Sequence, residues 1–190
     1  MRIIAGKYKA KKLVAPEGKT TRPTSDRARE SIFNVLENRL RLNALSWPEI
    51  TVMDVFAGTG ALGLEALSRG AVSLTAAEKD PAAVACFWKN ADSFIKSGLA
   101  VRLFPDALMP PAAEKPVKLL FMDPPYAKGL VAPALKALCR QEWIDANTLC
   151  VIETERNEES FLPDDFIVFD TRFYGKAAVS FVRIKKTTFD

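Results

Sequence analysis

Histidine is absent from the 190 residues, and cysteine is scarce: Cys86, Cys139 and Cys150 stand far apart and are odd in number. Without histidine, the commonest general base and the usual serine or cysteine triad are missing. A zinc site would need thiolates or carboxylates at spacings that do not occur here, so no metal site is expected. Three dispersed cysteines read as free, mostly buried thiols rather than a disulfide framework. No apolar run approaches the roughly 18–20 residues that cross a bilayer. Lysines interrupt the N-terminus at Lys7 and Lys9 before a signal-peptide core could form. The expectation is a cytoplasmic protein with no membrane partner, and no long amphipathic seam speaks for anything but a monomer.

Apolar residues make up 48% of the chain and charged residues 26%, a balance that suits a globular protein with one core and at most a small appendage. The formal net charge is only +4, but it is unevenly placed. Residues 1–29 carry nine Lys/Arg against Glu17 and Asp26, whereas the remaining residues are slightly acidic. A basic arm on a near-neutral body suits a polyanion, because each neutralised phosphate releases counterions. The same lysines would also suit a solvated edge hairpin protected against aggregation. Charge by itself leaves both readings open.

Residues 2–14 predict two short strands around Gly6-Lys7, so that residues 1–22 form a basic hairpin arm and residues 23–190 the main domain. Thr24-Ser25-Asp26 precede a helical pattern in which Ala28, Ile32, Val35, Leu36, Leu40 and Leu42 recur. Beyond Trp47, strand-like runs at 50–55, 73–77, 100–104, 117–122 and 149–153 alternate with helical stretches at 61–69, 81–96 and 131–141. Such alternation predicts right-handed β-α-β crossovers and a mostly parallel, doubly wound α/β sheet. The last two β-rich runs, 166–174 and 177–185, are joined only by Gly175-Lys176. They predict an antiparallel hairpin at one sheet edge.

The first of these strands runs into Asp54-Val55-Phe56-Ala57-Gly58-Thr59-Gly60-Ala61-Leu62-Gly63 and then a helix. Glycines at the carboxyl end of a strand let the backbone pass close to a ligand and turn into the helix. Eighteen residues after Gly60, Glu78 closes the next strand, where a carboxylate can accept hydrogen bonds from ribose hydroxyls. A nucleoside cofactor is expected. Gly58-x-Gly60-x-x-Gly63 also satisfies the dinucleotide fingerprint, so a nicotinamide oxidoreductase competes. Asp54 argues against a pyrophosphate, which it would repel, and for the ammonium end of S-adenosylmethionine.

A second turn carries reaction chemistry. Residues 119–122 lead directly into Asp123-Pro124-Pro125-Tyr126. Two consecutive prolines remove two backbone donors and fix two φ angles, leaving a rigid turn whose carbonyls are free for a ligand. In a doubly wound sheet this turn opens on the same crevice as the glycine loop. An exocyclic base amine is a poor nucleophile because its lone pair is delocalised. Asp123 and the Pro124 carbonyl can accept its two N–H bonds and aim the nitrogen in line at a sulfonium methyl. Tyr126 can stack on an extruded base.

Asp-Val-Phe-Ala-Gly-Thr-Gly resembles the first motif of class I methyltransferases. The chain nearly end to end resembles the bacterial RsmD-type methyltransferases of small-subunit ribosomal RNA, which modify a guanine N2. The likeness is carried by Arg2-Ile3-Ile4-Ala5-Gly6, by Arg22-Pro23-Thr24-Ser25-Asp26-Arg27-Ala28-Arg29-Glu30, by residues 54–70, by Glu78-Lys79-Asp80, by residues 121–126 and by Glu153-Thr154-Glu155. The resemblance implies a seven-stranded class I fold with an N-terminal extension, and 16S ribosomal RNA in assembled or assembling small subunits as partner. It places S-adenosylmethionine against Asp54, Gly58, Thr59, Gly60, Glu78 and Asp106, with backbone contacts from Ala57, Lys79 and Ala107. Asp106 would receive the adenine amino group, although its position before Ala107-Leu108-Met109 also suits a helix N-cap. Asp123, Pro124 and Tyr126 would form the amine site. Lys7, Lys9, Lys11, Lys12, Arg22, Arg27 and Arg29 would contact phosphates; alternatively, Arg27 and Arg29 form a helix-surface set with Asp26 and Glu30.

Two other readings share parts of this pattern. An adenine-N6 methyltransferase uses the same Asp-Pro-Pro-Tyr turn, but one acting on DNA needs a target-recognition region that does not fit in this length. A non-catalytic RNA-binding module could keep the cofactor fold without the reaction.

Overall fold

The computed structural model describes residues 1–16, 26–126, 128–158 and 162–185. Arg22 and the Pro23-Thr24-Ser25 stretch lie outside the described residues. The element order is α1 (Asp26–Leu42), β1 (Thr51–Val55), α2 (Ala61–Arg69), β2 (Ser73–Ala77), α3 (Pro81–Lys96), β3 (Ala100–Phe104), β4 (Leu119–Met122), α4 (Val131–Arg140), β5 (Leu149–Glu155), β6 (Phe166–Tyr174) and β7 (Ala177–Ile184), with a one-turn 3₁₀ helix at Trp47–Glu49.

One seven-stranded sheet takes the order β3-β2-β1-β4-β5-β7-β6. The first five strands of that order are parallel, and the β6–β7 hairpin joins with β7 antiparallel to β5. This is the mixed, Rossmann-like sheet expected from the sequence pattern. The apolar runs mark where each strand sits. All four residues of β4 are buried, as a central strand covered on both faces must be.

Alternate strand residues feed two cores. Val52, Leu74, Phe121 and Val151 face α1, α2 and α3, where Ile32, Phe33, Leu64 and Phe87 pack. Met53, Val55, Leu120 and Ile152 face α4 and Trp143 on the other side. On α1 the buried stripe is Ala28, Arg29, Ile32, Phe33, Leu36 and Leu40. Leu42, counted in the predicted pattern, is instead 74% exposed at the end of the helix. No helix among the described residues is long and apolar enough to cross a membrane.

Strand ends differ from the sequence reading where pairing, not hydropathy, decides. β4 begins at Leu119 because Val117 donates to the Trp143 carbonyl outside the sheet. β5 continues to Glu155 because Thr154 and Glu155 pair with Ala178 and Ala177 of the hairpin. The two N-terminal strands reduce to one antiparallel bridge, Arg2 with Lys12. That segment is nevertheless anchored: Ile3 and Leu13 are buried in the core shared with α1 and α2. Buried Glu65 of α2 accepts from the Ile4 and Ala5 N–H groups at 2.6 and 3.0 Å. Gly6, at φ +81°, lies so close to the Ser68 backbone that an added Cβ would collide with it.

Cys86 and Cys150 are buried, Cys139 is half-buried, and all three are free thiols. Burial pushes the Cys139 and Cys150 thiols up, away from reactivity.

Candidate active site

β1 lies between β2 and β4, where the chain order of the sheet reverses. Ligands in open parallel sheets bind at the carboxyl ends of strands at such a point. A crevice of about 750 Å³ opens there, lined by the turns after β1, β2 and β4 and by the N-terminal segment.

The glycine loop is held from both sides. Gly58 takes φ +55°, and nothing stands within 4 Å of where its Cβ would be, so its backbone faces open space. Gly60 takes φ +80° and packs where a Cβ would strike the Phe87 ring. Its role is to turn the chain into α2 against that ring, and it does not line the crevice. Asn90 of α3, buried, donates to the Thr59 and Val14 carbonyls and accepts from the Val14 N–H, tying the loop to the N-terminal segment.

Glu78 closes β2 as a backbone clamp. One carboxylate oxygen accepts from the Gly58 N–H at 2.8 Å, and the other accepts from the Lys79 and Asp80 N–H groups, each at 2.8 Å. A carboxylate offers about four acceptor positions, so it retains capacity for a hydroxyl. The same turn starts α3: Asp80 accepts from the Ala82 and Ala83 N–H groups ahead of Pro81.

Asp54 lines the crevice from β1 and accepts from the Gly63 N–H at 2.9 Å. Burial, reinforced by the charge of Glu78 and opposed by the Gly63 hydrogen bond, pushes its carboxyl up to about 7. Across the crevice, Asp123 follows β4, and its carboxyl is raised well above the usual range by burial, then by Glu153 and Asp54. Pro124 is buried, while Tyr126 is 42% exposed with its ring at the mouth.

Glu153 completes this wall and was not singled out by sequence reasoning as a site residue. It is 7% exposed on β5, and its carboxylate accepts from the Tyr126 hydroxyl at 2.7 Å. Burial, that hydrogen bond and the neighbouring carboxylates push the Tyr126 phenol up, so it remains a neutral donor. An acidic residue that ends the apolar run 149–152 while still inside the buried part of the strand was the signal available.

Asp54, Ala57, Gly58, Thr59, Glu78, Lys79, Asp123, Pro124 and Tyr126 therefore meet in one crevice. Asp106 and Ala107 do not line it. Asp106 lies just past β3 and accepts from the Leu108 N–H at 2.8 Å, capping a turn rather than a helix. Ala107 is buried in the second core.

The basic residues separate into two groups. Lys7, Lys9, Lys12 and Arg27 are exposed and Lys11 is partly so. Lys7 sits beside the end of α2, its N–H donating to the Ser68 carbonyl, a helix length away from the crevice end. Arg29 corrects the sequence reading: it is 1% exposed, so it is neither a surface phosphate contact nor part of a solvated helix face. Its Nη2 donates to the Arg2 carbonyl and the Asp26 carboxylate, each at 2.7 Å, and the residue lines the crevice.

Comparison with known proteins agrees with this geometry. The family described as Conserved hypothetical protein 95 matches residues 1–183. Ribosomal RNA small subunit methyltransferase D of Escherichia coli K12 is 36% identical over 157 residues, covering 82% of this chain and 75% of that protein. Its Haemophilus influenzae counterpart is 30% identical over 179 residues, 92% of this chain and 89% of that one. Among solved structures, the Escherichia coli protein yhhF, provisionally described as a methyltransferase, superposes with TM-score 0.79 at 31% identity over 97% of this chain and 98% of its own. The chain therefore belongs to the Conserved hypothetical protein 95 family, the RsmD-type methyltransferases.

Proposed function

We propose that the protein transfers a methyl group from S-adenosylmethionine to the exocyclic N2 of a guanine in 16S ribosomal RNA of the small subunit. The observation that carries this reading is the meeting of the glycine loop and the Asp-Pro-Pro-Tyr turn in one acidic crevice. The relatives named above as small-subunit ribosomal RNA methyltransferases support the substrate class.

The crevice suits the cofactor on its own terms. Open space over Gly58 admits a ligand against the loop backbone. The buried Asp54 carboxyl and the half-buried Asp123 carboxyl repel one another and resist ionisation. A cation between them restores their charged forms, and an ammonium or sulfonium is such a cation. Asp54 would hold the ammonium, and Glu78 a ribose hydroxyl, with the Ala57 and Lys79 backbone alongside. Asp106 and Ala107 do not line the crevice, so no contact to the cofactor is assigned to them. When bound, S-adenosylmethionine supplies an electrophilic methyl on a positively charged sulfur.

The chain's own groups would do the rest. Asp123 and the Pro124 carbonyl accept the amine N–H bonds, fix the nitrogen lone pair toward the methyl, and stabilise the positive charge that grows on nitrogen. Tyr126, held by Glu153, offers its ring to the extruded base. The exposed Lys7, Lys9, Lys12 and Arg27 and the partly exposed Lys11, with Arg22, would contact phosphates outside the crevice.

Tritiated methyl transfer to small subunits isolated from a strain lacking the gene, followed by nucleoside digestion, tests the reading. Labelled N2-methylguanosine supports it. Labelled N6-methyladenosine, or unlabelled RNA, contradicts it.

A further inference from the structure

We infer that Arg29 binds the carboxylate of the cofactor's amino-acid end, so that Arg29 and Asp54 together read a zwitterionic amino acid. The inference rests on the cofactor reading above and adds a subsite that the sequence motifs do not assign.

Arg29 is buried to 1% exposure at the start of α1, beside the N-terminal segment. One of its three nitrogens, Nη2, is taken by the Arg2 carbonyl and Asp26. The other two, Nε and Nη1, are buried without a hydrogen-bond partner. A guanidinium stays charged at any physiological pH and has only donors, so two unmet N–H-bearing nitrogens in a dry setting are costly. Anchoring α1 to the Arg2 carbonyl would need one donor, not five.

The crevice that Arg29 lines is otherwise acidic, with Asp54, Glu78, Asp80, Asp123 and Glu153 on its walls. The other basic side chains there, Lys79 and Lys128, are exposed, and the remaining cation, the α-ammonium, belongs to half-buried Met1. Arg29 is thus the buried positive group among the described lining residues, and it is where an anion inside this crevice is stabilised. An α-amino acid presents an ammonium and a carboxylate on one carbon, which calls for one acidic and one basic partner. Asp54 answers the first and Arg29 the second. Charge-assisted hydrogen bonds from guanidinium to carboxylate are the strong kind.

Calorimetric titration with two ligands isolates this contact: S-adenosylhomocysteine, and its decarboxylated analogue S-adenosyl-3-thiopropylamine, which keeps the adenosine, thioether and ammonium. The intact protein should bind S-adenosylhomocysteine about 30-fold more tightly than the amine, the scale of one charged hydrogen-bonded contact. Arg29→Met should lose about that factor for S-adenosylhomocysteine and less than about threefold for the amine, so that the preference collapses. Arg29→Lys, which keeps a charge but fewer donors, should show an intermediate loss confined to S-adenosylhomocysteine, and it serves if the methionine variant does not fold. Equal weakening of both ligands would show a purely structural role and overturn the inference, as would an unchanged preference. Failure of the unmutated protein to bind either ligand would instead overturn the cofactor reading itself.

Discussion

Asp54 has a proposed role in binding and a cost in stability, and the two can be separated by pH. Its carboxyl is raised from 3.8 to about 7 in the folded protein, chiefly by burial. The unfolded chain therefore gives up this proton first, and the stability associated with it, complete below about pH 4, is lost as pH rises through about 7. Asp54→Asn keeps an acceptor for the Gly63 N–H and removes the titration. In urea unfolding, the stability advantage of this variant over the parent should grow by about 2–3 kcal/mol between pH 5 and pH 8. It should also bind S-adenosylhomocysteine poorly at either pH. A difference that does not grow between pH 5 and pH 8 would contradict the burial argument.

Asp123 divides binding from chemistry at the same scale. It lines the crevice, its backbone N–H donates to the Val55 carbonyl at the end of β1, and among the described residues its carboxyl makes no hydrogen bond to the glycine turn that follows. Asp123→Ala is expected to bind S-adenosylhomocysteine within about threefold of the parent while losing at least about 100-fold in methyl transfer, as removal of one aimed charge-stabilising group does. Parallel loss of both would make Asp123 a cofactor ligand instead. Its place in the crevice was legible in the sequence because proline pairs after a buried strand leave few conformations. Arg29 was not legible: a basic residue amid Asp26, Arg27 and Glu30 reads as surface, and only packing shows it turned inward.

Elements were read well wherever hydropathy and caps agree. α2 and α3 begin and end as the sequence suggested, the one between Gly60 and Gly70 and the other behind Asp80-Pro81. The N-terminal segment was harder, because its order comes from distant partners and not from its own strand pairing. Glu65, fully buried on α2, holds the Ile4 and Ala5 N–H groups and also pairs with Arg69. Replacing it with alanine leaves those buried donors unmet, and should cost about 3 kcal/mol. Limited trypsin digestion should then cut at Lys7, Lys9 or Lys11 before the rest of the chain. Unchanged protection of that segment would show that Ile3 and Leu13 suffice to hold it.

For the whole molecule, the lysines follow an N-terminal segment that runs from Lys7, against the end of α2, back to Lys12, next to Leu13 at the crevice. On the proposed reading RNA would be held along this segment while the base enters the crevice. Changing Lys7, Lys9, Lys11 and Lys12 together to alanine should reduce the salt dependence of RNA binding, the slope of log K against log salt shrinking by about 3. Binding of S-adenosylhomocysteine should not change. A slope left intact would move the RNA-binding surface away from this segment. The mostly parallel sheet with its edge hairpin and the crevice position followed from strand–helix alternation and turn chemistry, whereas the strand order and the acidic wall at Glu153 required the structure.

A crystal structure with S-adenosylhomocysteine bound tests the central geometry most directly. The account predicts the sulfur between the Gly58 loop and Asp123, with the amino-acid end between Asp54 and Arg29 and the ribose at Glu78. A sulfur directed away from Asp123, or a ligand seated outside this crevice, would contradict it.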